Sequence, residues 1–379
     1  MKRIQVAVFV MAGIAGRLSA QHVCEQGHVH EKTAPYISVH VDSRIHADQI
    51  YSADDPKEEI FNLKTHTHVD LEFSPIEHWF VRSKLKLEQK HSHDHGGGGS
   101  GPDGKDTYFE NHLLMVEELK LVYAPGPWEV FGGKFNPKTG LDQHDIPGYY
   151  GYEIEEEHSI LGRMGAGSAY TLDTDEFGKH RLEVSGFCRD TTVMNRTLIN
   201  SGGEPDNKED GGIANTHDFS SYAVSLSGDL LYFAAGDTLH DLDYVLAYAR
   251  QDAGCGAEDD HDDEDRAVIG GIYTATLTEN LQFKGVGEFK NIRNSHTHRG
   301  EDLRISTAGA GFSWLGWELG GSYSFLDSNA EEPNGEHIQA SLGYVWKCGV
   351  GVHGGWKLVE EEGETQKSIG LMVSYHGHF

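Results

Sequence analysis

Long apolar runs, basic residues, cysteine and proline are all scarce in this sequence. After position 20 no stretch approaches the roughly 20 consecutive apolar residues that a membrane-spanning helix requires, and the hydrophobic fraction is only 37%. That excludes a helical membrane bundle. A soluble β protein and a barrel that shows lipid only every second residue of each strand both remain. Basic residues number 31 against 60 acidic ones, a net charge of −29. Such a surface repels nucleic acid, whose phosphates need Lys and Arg, and draws cations instead. The four cysteines, Cys24, Cys188, Cys255 and Cys348, are scattered without a CxxC pair. A zinc ribbon and a dense disulfide framework are therefore excluded. Only 10 prolines accompany 47 glycines, which suits a β protein with many close backbone contacts. Catalytic signatures are missing too, with no HExxH and no GxSxG elbow. Gly349-x-Gly351-x-x-Gly354 sits in a glycine-alternating strand pattern with no helix after it, so it is not a dinucleotide fingerprint. No catalytic residue and no enzyme activity are expected.

What is present begins with an export signal. Lys2 and Arg3 precede a mostly apolar stretch, Ile4 to Ala15, and Leu18-Ser19-Ala20 offers small residues for cleavage before Gln21. This layout is that of a signal peptide over 1–20, followed by a short N-terminal periplasmic segment, 21–35. Cys24 has no lipobox before it.

From about residue 36 the chain alternates apolar and polar positions, segment after segment. In Phe61–Phe73 the residues Leu63, Thr65, Thr67, Val69, Leu71 and Phe73 share one face, and Lys64, His66, His68, Asp70 and Glu72 the other. Ile369, Leu371, Val373, Tyr375 and Phe379 likewise oppose Ser368, Ser374, His376 and His378. About sixteen such segments can be counted over 36–379, an even number as a bacterial barrel requires.

The connections alternate between tight and long. Tight ones fall at 75–76, 125–127, 173–178, 278–280, 315 and 347–349, and long polar ones at 91–110, 137–155, 194–217, 253–265 and 296–300. Only the link 230–239 is longer than its place on the tight rim predicts. Trp79, Trp128, Trp314, Trp317 and Trp346 all lie beside tight turns, at the height of an aromatic girdle. A soluble sandwich has no reason to sort its loops this way. The expectation is an all-β transmembrane antiparallel up-and-down barrel with short periplasmic turns and long extracellular loops.

Two segments carry a resemblance. The C-terminus, Ile369-Gly-Leu-Met-Val-Ser-Tyr-His-Gly-His-Phe379, resembles the last strand of outer-membrane barrel proteins, with Gly377 departing from the aromatic commoner there. Trp128-Glu-Val-Phe-Gly-Gly-Lys-Phe-Asn-Pro-Lys-Thr-Gly140 is similar to the GKFNP…G segment of Gram-negative porin-like proteins. The resemblance implies an outer-membrane location and lipid surroundings. It also implies recognition by the barrel assembly machinery through Tyr375 and Phe379, and a homotrimer. It further implies that the third surface loop folds inward and narrows the pore.

That loop, 137–155, carries Asp142, Asp145, Glu153 and Glu155 with Pro147-Gly148, Tyr149, Tyr150 and Tyr152. Alternation places Arg82, Lys84 and Lys86 on the lumen face of the third strand. Acid on the loop opposite base on the wall predicts a transverse field across a constriction, although these charges also read as ordinary solvated lining.

Histidine is abundant, with 24 residues. His91, His93, Asp94 and His95 open a glycine-rich loop; His261 and Asp262 lie in an acidic run; His296 and His298 lie in another loop. Imidazole suits Zn and similar ions, and carboxylates add oxygen ligands. None has finger-like spacing, so the expectation is weakly bound divalent metal on the loops and no required cofactor. His66, His68, Asp70 and Glu72 form a more ordered luminal row, which reads equally as polar lining. The sequence thus predicts a passive channel for small hydrophilic solutes that prefers cations. Loop capture of a zinc-like ion is the alternative, and a barrel enzyme or adhesin a more remote one.

Overall fold

The alternation closes into sixteen strands in the computed structural model, which describes residues 33–89, 104–174, 178–199, 207–235, 238–254, 260–330, 334–361 and 363–379. The signal-peptide reading of 1–20, most of 21–35, and His91, His93, Asp94 and His95 lie outside these residues. The first eight strands are β1 (Tyr36–Ala53), β2 (Phe61–Ile76), β3 (Trp79–Gln89), β4 (His112–Tyr123), β5 (Trp128–Phe135), β6 (Arg163–Thr174), β7 (Gly178–Arg189) and β8 (Ser221–Ala235). The second eight are β9 (Thr238–Gln251), β10 (Glu264–Thr278), β11 (Leu281–Arg293), β12 (Leu303–Trp314), β13 (Trp317–Ser328), β14 (Gly335–Val345), β15 (Val350–Glu361) and β16 (Glu364–His378). Each pairs antiparallel with its sequence neighbours, and β1 pairs with β16, His40 opposite His378 and Gln49 opposite Ile369. Closure leaves no strand edge, which lipid would not tolerate. A two-residue strand, Thr107–Tyr108, adds a short parallel contact to β2 outside the barrel ladder.

The sidedness is that of a membrane barrel. Along β16, Ile369, Leu371 and Val373 are half exposed on the outside, while Ser368, Met372 and Ser374 are buried within. Large apolar side chains face outward and polar ones inward, the reverse of a soluble sandwich. Trp79 stacks near Tyr123 at 4.8 Å, Trp128 near Tyr170 at 4.7 Å and Trp317 near Tyr344 at 5.3 Å, all at the short-turn rim. The predicted girdle is there.

Two segments differ from the sequence reading. The long link read as 137–155 runs on to residue 162: Tyr152–Glu157 is a helix, α1, and β6 starts only at Arg163. Four of the six residues of α1 are glutamate, which favours the helix. The overlong link 230–239 is instead strand: β8 runs to Ala235 and β9 begins at Thr238. A register shift opposite Leu242 and Asp243 inserts one residue into β8. Such a bulge breaks the alternation by which the strand is recognised.

The apolar core lies inside the barrel, where the long loop 136–162 meets the wall. Ile160 packs with Val122, Phe131, Phe135 and Phe187; Leu141 and Ile146 pack with Val245, Ile272 and Val286; Ile154 packs with Ile292, Ile305 and Leu326.

Candidate functional site

The loop that enters the lumen is the third surface loop, joining β5 to β6, and its ends are tied together at the residue that closes the GKFN run. Asn136 donates from Nδ2 to Glu117 at 2.6 Å and accepts from the Gly162 backbone N–H at 2.7 Å. Between these ends, Asp142 caps a short turn by accepting from the His144 N–H at 2.9 Å. The chain then crosses to the far wall. Gln339 donates to the Pro147 carbonyl at 2.6 Å, and the Tyr149 N–H donates to Ser341 at 3.0 Å. Tyr149 and Tyr150 both donate their hydroxyls to Asp48, at 2.6 and 2.9 Å.

Glycine makes this close approach feasible. Side chains at Gly355 or Gly370 would begin within 2.6 Å of the Tyr149 ring, and one at Gly320 would begin 2.7 Å from the Gly148 nitrogen. The wall is stripped to backbone where the loop tip rests.

Carboxylates of the loop meet lysines of the wall directly. Asp145 pairs with Lys284 at 2.9 Å. On α1, Glu153 lies 2.8 Å from Lys357 and 4.0 Å from Lys64, and Glu155 lies 2.5 Å from Lys290, which is also 3.0 Å from Glu288. Glu156 pairs with Lys86, whose ammonium is 2.8 Å from Glu88. Of the three wall cations expected opposite the loop, Lys86 alone pairs with a loop carboxylate. Lys84 is 3.5 Å from Glu117, and Arg82 pairs with Glu72 and Glu129 at 2.8 and 3.4 Å. Lys64, Lys284, Lys290 and Lys357 were missed. Their place on the polar face of their strands was readable, but not which strands the loop would reach.

The two inner glutamates of α1 titrate in opposite directions. Burial alone would raise Glu153, yet the ammonium groups of Lys357 and Lys64 outweigh it and hold the carboxyl at about 2. Burial raises Glu155 to about 7, with Glu288 adding to it, although Lys290 opposes. An acid whose pKa rises above its ordinary 4.5 holds its proton more tightly when docked. Glu155 therefore stabilises docking fully below pH 4.5, and that contribution is lost as pH rises from 4.5 to about 7. Glu153 contributes above 4.5 and loses its contribution only as pH falls toward 2. Proteolytic nicking of the loop is expected to increase between pH 5 and pH 8, and Glu155→Gln to flatten that dependence. A parent profile without slope would refute the assignment.

Beneath the loop lies a cavity of 340 Å³ whose lining includes Arg44, His144, Lys284, Glu318, His353 and His376. Burial lowers the His144 imidazole, and the Arg44 guanidinium lowers it further. On the lumen wall of β8 and β9, Asp229 stands directly opposite Asp243, with Asp241 beside them. His66 and His68 face the lumen and are buried, their rings 4.7 Å apart; Asp70 lies 3.3 Å from His40, and Glu72 accepts from Tyr36 at 2.7 Å.

At the long-loop rim, His261 and His298 form an antiparallel bridge, with ring centres 5.0 Å apart. Asp262 pairs with Arg299 at 3.3 Å, and the His296 N–H donates to Glu264 at 2.9 Å. His261, Asp262, His296 and His298 are thus neighbours, and the rings of His261 and His298 lie side by side. Tyr375 lies in the β1–β16 seam opposite Ser43, and Phe379 extends that seam, its N–H donating to the Val39 carbonyl at 2.9 Å.

No protein-family model matches the chain, and no curated protein sequence matches it. Solved structures do. Salmonella typhi OmpF, determined in complex with daunomycin, has 11% identity over 90% of this chain and 98% of its own, with a TM-score of 0.56. The outer membrane channel DcaP of Acinetobacter baumannii has 10% identity over 90% and 97%, with a TM-score of 0.52. OmpT, an outer membrane protein of Vibrio cholerae seen as a trimer, has 12% identity over 91% and 100%, with a TM-score of 0.52. At such identities the likeness lies in the fold. Closed ladder, outward apolar faces and these neighbours together make the chain a sixteen-stranded β-barrel of the outer membrane.

Proposed function

We propose that the barrel is a porin-like channel for passive diffusion of small hydrophilic solutes, with cations preferred and no catalytic step. The observation that carries this reading is the inward-folded third loop, held across a polar lumen by residues of at least six strands. A loop so placed narrows a passage without removing the cavity below it. Three carboxylates gathered at Asp229, Asp241 and Asp243, within a chain of net charge −29, favour cations in the passage. The neighbour described as an outer membrane channel, DcaP, supports the same reading. As in the trimeric Vibrio cholerae neighbour, the working unit is a homotrimer. Lipid surrounds it, and the barrel assembly machinery reads Tyr375 and Phe379.

Planar bilayers test this. Discrete conductance steps are expected, with a reversal potential of the cation-selective sign in a KCl gradient. That preference should fall severalfold between 0.1 M and 1 M salt, as the Debye length shrinks from about 10 Å to about 3 Å. Absence of steps would overturn the channel, and an anion-selective sign the preference.

The facing His261 and His298 favour a second reading, capture of a zinc-like ion at the outer rim. Zn²⁺ titrated calorimetrically at pH 7 is expected to lose one weak site in the double variant His261→Ala, His298→Ala. An unchanged stoichiometry removes this pair from the reading.

A further inference from the structure

Three imidazoles on the lumen wall of β1 and β2 have ring nitrogens without a hydrogen-bond partner among the described residues. They are both nitrogens of His46, Nε2 of His66 and Nε2 of His68. Buried polar atoms are nearly always satisfied, so such orphans ask for a missing partner. His66, at 5% exposure, also stands where two carboxylates converge. One ring nitrogen of His66, one oxygen of Glu88 and one of Glu156 lie within 4.8 Å of one another, and it is Nδ1 of His66 that stands 4.0 Å from Glu156, with the partnerless Nε2 on the other side of the ring. His66 and Glu88 are directly opposed across β2 and β3, and Glu156 reaches them from α1.

We propose that His66, Glu88 and Glu156 form a binding site for a transition-metal dication of the Zn²⁺ class in the lumen, where α1 meets β2 and β3. The donor set decides the class. One imidazole with two carboxylates suits a borderline ion bound at about 2.0–2.2 Å, whereas Ca²⁺ and Mg²⁺ call for oxygen alone. Ligand atoms around such an ion lie about 3.4 Å apart, so the three groups have to close in slightly. Glu156 closes in by exchanging its pairing with Lys86 for the ion. His68, its ring 4.7 Å from that of His66, is placed to supply or orient a fourth ligand.

The Lys86 ammonium now lies between the two carboxylates, paired with both. It shows that the pocket holds a cation, and it competes with any metal that arrives. A tethered competitor keeps metal affinity moderate, as an exchanging site requires. This deepens the channel reading by naming an ion that would lodge in the passage, but the binding measurement does not depend on conduction.

Folded protein in detergent, with His91, His93, His95, His261 and His298 replaced by Ala to silence the rim, is titrated with Co²⁺. One equivalent is expected to bind with visible d–d absorption and to be displaced by Zn²⁺. His66→Gln and Glu88→Gln are each expected to weaken binding at least tenfold. Lys86→Met is expected to tighten it about tenfold, an outcome that a purely structural role for Lys86 would not produce. Heat-modifiable gel mobility verifies that each variant is folded. Unchanged binding in folded His66→Gln, or no binding in the parent, overturns the site. A protein that binds Co²⁺ through His66 yet passes no current overturns the channel and leaves the site standing. One that conducts and binds no Co²⁺ does the reverse.

Discussion

Replacing Lys290 by Met is expected to release the third loop from the wall. Its ammonium, 4% exposed, pairs with both Glu155 and Glu288, each 1% exposed, and no other described cation pairs with either. Removing it leaves two buried carboxylates facing one another. Breaking a buried ion pair from one side costs about 3–5 kcal/mol, because the remaining charge is left without compensation. The barrel ladder does not depend on this pair, so the loss should fall on the loop. Channel conductance should rise several-fold, and the loop should become open to protease. Adding Glu155→Gln in the same chain should recover much of the docking, since residues sharing one network are not additive. Conductance and protease resistance equal to those of the parent would show that Lys290 is not an anchor.

A comparably large effect is expected from a single added side chain, Gly370→Val. A β-carbon there would begin 2.2 Å from Asp48 Oδ1, 2.4 Å from the Tyr150 hydroxyl and 2.6 Å from the Tyr149 ring. Asp48 is the acceptor that holds both tyrosines, so the clash falls on the anchor and on what it anchors. Overpacking of this kind costs about 1–3 kcal/mol or more, whereas valine suits the strand itself. The loop tip should be evicted while the barrel stays closed, seen as larger conductance with normal heat-modifiable mobility. Gly354→Val is the control, because its β-carbon would meet nothing nearer than 4.0 Å. Equal conductance in the two variants would refute the cradle.

The strands were legible because lipid outside and polar lumen inside impose a period of two that few other folds repeat so often. That period marks neither a short helix nor a bulge. Four glutamates in six residues form α1 inside what reads as a polar loop, and one inserted residue in β8 hid the strand end. Glu153 and Glu155 were readable as loop acids, and His66 as a lumen residue. Their partners were not. Which lysine meets Glu153 depends on how the closed wall brings β2 and β15 around the loop, and no spacing along the chain records that. His66 opposite Glu88 follows from the β2–β3 register once the turn is placed. Glu156 joins them only through α1, a helix that no alternation along the chain marks.

The ion pairs of the third loop also have a mechanical meaning. A barrel wall is a single layer joined edge to edge by hydrogen bonds, and a hollow tube of that kind ovalises under sideways load. Here short rods of opposite charge run from α1 to β2 and β3 on one side, to β11 on another and to β15 on a third. They brace the cross-section from within, as spokes hold a rim round. The bore beneath them therefore keeps its outline through the protein's own struts, whatever the lateral pressure of the surrounding bilayer.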